Sequence, residues 1–222
     1  MPRESYQEKL EELREDVLYM SEVVLERFRM GLSALETKDT DLAWEVIEGD
    51  DEINQLYLEL EQECVDLLAL QQPVAGDLRF IAASCKIITD LERIADLATN
   101  FGDYTLTAAR DIYPDVDIQE IGTQVGEMVE DAMDAYASED VEACFAIAER
   151  DDEVDALCQN ASEAVVRELI VGEPDQWDAE RLLDDVSRLL LTIRDLERVG
   201  DHAVNIAARS LYMDAADPEL IY

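Results

Sequence analysis

The 222-residue chain carries 55 acids against 17 bases, a net charge of −38, yet 48% of its residues are apolar. That apolar content excludes a disordered acidic tail, and the charge repels phosphate backbones and anionic headgroups, so nucleic acid and lipid surfaces are not expected partners. Lys9, Lys38 and Lys86 are the only lysines, and the acids are spread along the whole chain; a diffuse acidic, lysine-poor surface is expected of a protein from a salt-loving host, where salt screens the self-repulsion.

In chain order, Leu10, Leu13, Val17, Met20 and Val24 recur at steps of three and four, which predicts a first helix with one apolar face. Thr37 to Asp39 are residue types that cap helix starts, and a second helix follows with Leu42, Val46, Ile53, Leu60 and Cys64 on its buried side. The segment Gln71-Gln-Pro-Val-Ala-Gly76 ends it, because proline cannot continue a helix and Gly76 adds a turn signal. A third helix is predicted from about Asp77 to Ala109, and Arg110 to Asp115 link it to the second half. There the pattern repeats. Asp90-Leu-Glu-Arg-Ile-Ala-Asp-Leu-Ala-Thr-Asn100 aligns with Asp195-Leu-Glu-Arg-Val-Gly-Asp-His-Ala-Val-Asn205 at seven of eleven positions. Upstream, Thr37-Lys-Asp39 matches Ser138-Glu-Asp140, and Asp50-Asp-Glu-Ile matches Asp151-Asp-Glu-Val. The change in offset places a four-residue insertion around Val171 to Trp177. The fold expected is all-α: two tandem pseudo-symmetric three-helix bundles, 1–112 and 113–222, six antiparallel helices in all.

Positions four apart share a helix face, so Glu92, Asp96 and Asn100 continue a row that starts at Ser84 and Ile88. In the second copy the row is Leu189, Ile193, Glu197, Asp201 and Asn205. Asp50 and its copy Asp151 fall in the buried register of the preceding helix, with Asn54 and Asp155 one turn later. Carboxylates that prolong an apolar stripe repel one another unless neutralised. Two remedies stand side by side: ion pairing with Arg93, Arg198 or other arginines, or a cation held between the second and third helices. An all-oxygen set suits ferric iron, manganese, magnesium or calcium better than zinc. His202, the only histidine, lies about 100° around the helix from Asp201 and reads as a partly exposed helix residue.

No phosphate-cradling loop, nucleophile elbow or Glu-x-x-His pair is present, so no enzyme chemistry is expected. Cys64, Cys85, Cys144 and Cys158 lack zinc-ligand spacing and read as small core residues in a reducing cytosol. No apolar run approaches the length of a membrane span and no signal core opens the chain, so a cytoplasmic location is expected.

Glu92-Arg-Ile-Ala-Asp96, Glu197-Arg-Val-Gly-Asp201 and Gln72-Pro-Val-Ala-Gly-Asp-Leu-Arg79 together resemble the signatures of the PhoU family of phosphate-uptake regulators. The resemblance spans nearly the whole chain. It implies a non-enzymatic regulator that restrains the phosphate ABC transporter when phosphate is plentiful. The partners implied are the transporter's ATPase subunit, a sensor kinase in many bacteria, and a second copy of the chain. It also implies metal, iron or zinc, bound by Asp50, Glu92 and Asp96 in one half. In the other half the ligands would be Asp151, Asp155, Glu197 and Asp201. Ala95 stands where the signature has glycine, and Asn54 stands where the second copy has Asp155. The second site is therefore expected to be the stronger. The other readings of the same acids are a carboxylate-bridged metal-storage bundle and a purely structural adaptor.

Overall fold

The computed structural model describes residues 3–70, 73–107, 116–171 and 179–221. Seven α-helices and no strands occur among the described residues: α1 (Arg3–Thr37), α2 (Thr40–Glu48), α3 (Asp50–Leu70), α4 (Ala75–Thr107), α5 (Ile118–Ser138), α6 (Val141–Val171) and α7 (Ala179–Ala215). The all-α expectation holds, with one refinement: the second predicted helix is split by Gly49. Arg27 of α1 causes the break. Its Nη1 donates to the Glu45 carbonyl at 2.9 Å, and its guanidinium fills the space that a side chain at position 49 would need. The matching position in the second half is Arg150, which itself reaches back to Asp131 at 2.9 Å, and α6 runs unbroken.

The first turn of each half is built twice from the same parts. Lys38 and Glu139 both take a left-handed backbone, at φ 56° and 59°. The next residue caps the following helix: the Asp39 carboxylate accepts from Asp41 and Leu42 N–H, and Asp140 accepts from Glu142 and Ala143 N–H. Each cap satisfies donors that the helix start leaves unpaired, an effect of about 1 kcal/mol. Residues 73 and 74 are non-helical, but Gly76 lies inside the first turn of α4 and does not precede it. Gln71, Gln72, the Arg110–Asp115 link, the boundary at 112–113 and most of the insertion near Val171–Trp177 lie outside the described residues.

The two halves share one core. Leu10, Leu13, Val17, Met20 and Val24 of α1 are all buried, as are Val46, Ile53, Leu60 and Cys64, while Leu42 is half-exposed. Apart from Val46 and Leu42, these residues belong to one contiguous buried cluster that also draws on α4, α5, α6 and α7. Within the halves α1 packs on α4 and α3, and α7 on α6 and α5; between them α4 packs on α7 and α1 on α5. α3 thus packs on α1 and α4, and α6 on α5 and α7, so that each flanks the long helix of its own half that carries the acid row.

Candidate metal centre

Each acid row descends from buried to exposed along its helix, as the pattern of four predicts. Ser84 and Ile88 are buried, and Glu92 and Asp96 emerge half-buried. Ile193 is buried, and Glu197 and Asp201 emerge exposed. In both halves an acid of the flanking helix stands beside this emergence: Asp50 opens α3 and is approached by Thr99, and Asp151, well inside α6, lies against Gly200.

At the first cluster the charges are answered by protein groups. Asn54 Nδ2 donates to Asp50 Oδ2 at 2.8 Å, and the Thr99 hydroxyl approaches Asp50 Oδ1 at 3.5 Å. Arg93 lies between the other two, 3.4 Å from Glu92 Oε2 and 3.3 Å from Asp96 Oδ2. Burial, then the nearby Asp96, raises the Asp50 carboxyl above its ordinary value, while Asn54 and Thr99 pull it back. Glu92 is raised by the same two causes, with Arg93 opposing. The ion-pairing remedy is thus realised here.

The second cluster lacks those answers. Asp155 replaces Asn54, Val204 replaces Thr99, and Arg198 turns to Asp195, 3.9 Å away. Asp151 Oδ1 is buried without a hydrogen-bond partner. It points at Gly200, where an added Cβ would stand 3.0 Å from it. Burial, then Asp155 and Asp201, pushes the Asp151 carboxyl up to about 6. Glu197 and Asp201 are raised too, by burial first and Asp155 next, with His202 and Arg198 partly relieving Asp201. Among the described residues, no three His, Cys, Asp or Glu side chains are drawn together into a finished metal cage. The fit to a hard cation rests instead on the orphaned Asp151 oxygen, the glycine that makes room for it, and an all-carboxylate donor set. By these criteria the second cluster fits and the first is already compensated.

Asn100 and Asn205 do not serve the rows in which the sequence places them. Asn100 Nδ2 donates across the molecule to Asp195 at 3.1 Å, and Asn205 Nδ2 donates to Asp90 at 3.3 Å. The first and last residues of each repeated string therefore clasp those of the other copy. Tyr104 adds a hydrogen bond to Asp195 at 2.7 Å, and Arg194 another at 2.8 Å. His202 Nδ1 lies 2.8 Å from Asp90, so the only histidine belongs to this clasp and not to the acid row. Exact recurrence of both end residues in each copy was the signal for this clasp; helix periodicity alone cannot show it.

Both halves match the family model of the PhoU domain, over residues 17–105 and 118–210. A phosphate-specific transport system accessory protein PhoU homolog of Pseudomonas aeruginosa is 34% identical over 213 residues, 95% of this chain and 85% of that protein. A homolog of the same name from Clostridium acetobutylicum is 30% identical over 217 residues, 96% of this chain and 95% of that protein. Among solved structures, PhoU from Pseudomonas aeruginosa superposes with a TM-score of 0.88 at 32% identity, covering 96% of this chain and all of that one (100%). The phosphate transport system regulatory protein PhoU from Streptococcus pneumoniae gives 0.87 at 26% identity, covering 96% and 98%. With the domain matched in each copy of the repeat, relatives aligned over nearly its full length and the same fold, the chain belongs to the PhoU family.

Proposed function

We propose that this chain is a non-enzymatic accessory regulator of phosphate uptake, acting in the cytoplasm on the ATPase subunit of a phosphate ABC transporter. It restrains the transporter when phosphate is plentiful. The observation that carries this reading is the match over both repeats to proteins named as accessory to the phosphate-specific transport system. No described helix is long and apolar enough to cross a membrane, and a surface this acidic is repelled by anionic lipid, so contact with the transporter runs through protein. Exposed apolar residues recur at matching places in both halves, Val65 and Leu68 on α3 and Val166 and Leu169 on α6, and offer that contact. A sensor kinase and a second copy of the chain are further partners in this reading.

Metal belongs to the same proposal. Asp151, Asp155, Glu197 and Asp201 would hold a hard cation, iron foremost, whose charge relieves the repulsion among them and ties α6 to α7. Asp50, Glu92 and Asp96 would form a weaker site, because Arg93, Asn54 and Thr99 already supply compensation. Deleting the gene tests the regulatory role: phosphate uptake in phosphate-replete cells should rise and return to normal on complementation. Unchanged uptake would remove the transporter from the account.

A further inference from the structure

Six of the twelve large apolar side chains that stand exposed among the described residues form three identical pairs across the repeat. Val65 and Leu68 near the end of α3 match Val166 and Leu169 near the end of α6, and Leu78 in the first turn of α4 matches Leu183 early in α7. A single exposed apolar residue needs no explanation, but a set repeated this closely does. The buried neighbours differ more freely: Cys64 answers to Val165 and Phe80 to Asp185. Packing therefore does not account for the identity at the surface.

The two sets lie at opposite ends of the molecule. Arg79 Nε donates to the Met213 carbonyl at 3.2 Å, which puts the start of α4 beside the end of α7. Arg188 Nη1 donates to the Thr107 carbonyl at 2.6 Å, which puts the start of α7 beside the end of α4. From Leu78 to Thr107 the helix rises about 45 Å. Between the ends, Asn100 reaches Asp195 and Asn205 reaches Asp90, the reciprocal pattern of a two-fold relation. Each end has an acidic rim: Asp66 and Asp77 at the first, and Glu163, Glu168 and Asp184 outweighing Arg167 at the second.

We propose that the two ends are equivalent docking surfaces, and that one chain grips both members of a two-fold symmetric pair of identical partner subunits. The proposal rests on the role at the transporter, whose ATPase subunits would be that pair. Each subunit offers an apolar patch with a basic rim, the complement of the two ends. A standard interface covers about 800 Å² on each partner, a patch roughly 30 Å across, so one such face cannot reach both ends. A second copy of this chain is the wrong occupant, because its own acids, on a net charge of −38, would meet those of the first. Joining two equal contacts in one body makes the second contact intramolecular, so the pair is held far more tightly than either subunit alone. It also fixes the distance between the two subunits, which is a direct means of restraint.

Isothermal titration of the full-length chain into the detergent-solubilised phosphate transporter, with its ATPase subunits in place, tests this. Wild type should saturate at one chain per two ATPase subunits. Leu68→Ser with Leu78→Ser, and separately Leu169→Ser with Leu183→Ser, should each weaken binding about a hundredfold and shift saturation to one chain per subunit. All four together should abolish binding. The positions are exposed, so the variants should melt close to wild type; if one fails to fold, the wild-type ratio decides. A wild-type ratio of one to one, or a substituted end that binds as wild type does, would overturn bivalent docking and leave the transporter reading standing. No binding by wild type would overturn both. Sedimentation of the chain alone adds a further check: self-association that the same substitutions abolish would give the ends to a second copy and overturn the proposal.

Discussion

Asp151 and Asp50 occupy the same place in the repeat, and their neighbours make them different groups. Asn54 and Thr99 donate to Asp50, whereas Asp155 and Val204 at the matching positions donate nothing. The carboxyl of Asp151 is pushed from 3.8 to about 6, chiefly by burial and next by Asp155. Because its folded value lies above the unfolded one, its contribution to stability is full below about pH 4 and is lost as pH rises through about 6. Asp151→Asn should therefore stabilise the metal-free protein by about 1–2 kcal/mol at pH 7, discounted for its partial exposure, and by almost nothing near pH 4. Urea unfolding at the two pH values checks this; an equal effect at both would contradict it. Gly200→Ala places a methyl against Asp151 Oδ1, yet Ala95 occupies the matching place in α4, fully buried, without harm. The substitution should weaken cation binding about tenfold or more by titration calorimetry while the fold persists. The seven candidate acids could be listed from the sequence because Glu92, Asp96, Glu197 and Asp201 prolong apolar stripes and Asp50 and Asp151, with Asp155 one turn on, fall in the buried register of the preceding helix. The inequality of the sites was legible only through Asn54 against Asp155. The orphaned oxygen and the room made by Gly200 depend on how closely α6 approaches α7, which no spacing reveals.

Helices were legible from apolar periodicity and from the capping residue types at Thr37 to Asp39 and their copy Ser138 to Asp140, of which Asp39 and Asp140 supply the capping carboxylates. The break at Gly49 was not legible, since its cause is the guanidinium of Arg27, 22 positions earlier in the chain. The clasp between α4 and α7 was hidden for a similar reason: Asn100 and Asn205 fit the acid row by spacing, but their partners lie in the other half. The clasp is also unequal. Asp195 is completely buried and accepts from Tyr104, Asn100 and Arg194, while Asp90 is partly exposed and meets His202 and Asn205. Asp195→Ala leaves the half-buried phenol of Tyr104 and amide of Asn100 without their acceptor and opens a void where a completely buried side chain stood, and should cost about 2–3 kcal/mol. Asp90→Ala, whose partners can turn to water, should cost about 1 kcal/mol. Denaturant midpoints of the two variants should differ accordingly, and equal losses would mean that the clasp is not anchored at Asp195.

For the whole molecule, the excess of acid is the property that conditions every other one. A net charge of −38 on 222 residues is strong self-repulsion at low ionic strength, and molar salt shortens its reach from about 10 Å to about 3 Å. The melting midpoint followed by circular dichroism should rise steadily from low salt to molar KCl; no gain would remove the reading of a salt-loving host. Against this background the second cluster concentrates four acids with only His202 and Arg198 partly relieving one of them, and the cation proposed above would supply the rest of the compensation. Elemental analysis of the purified protein after incubation with ferrous iron, zinc or manganese measures this directly, with wild type set beside Asp96→Ala and Asp201→Ala. Wild type should retain stoichiometric metal through exhaustive dialysis, Asp201→Ala should lose the tightly held fraction, and Asp96→Ala should keep it. A wild type without metal, or an Asp201→Ala variant that holds as much as wild type, would contradict the assignment of the second cluster as the metal centre.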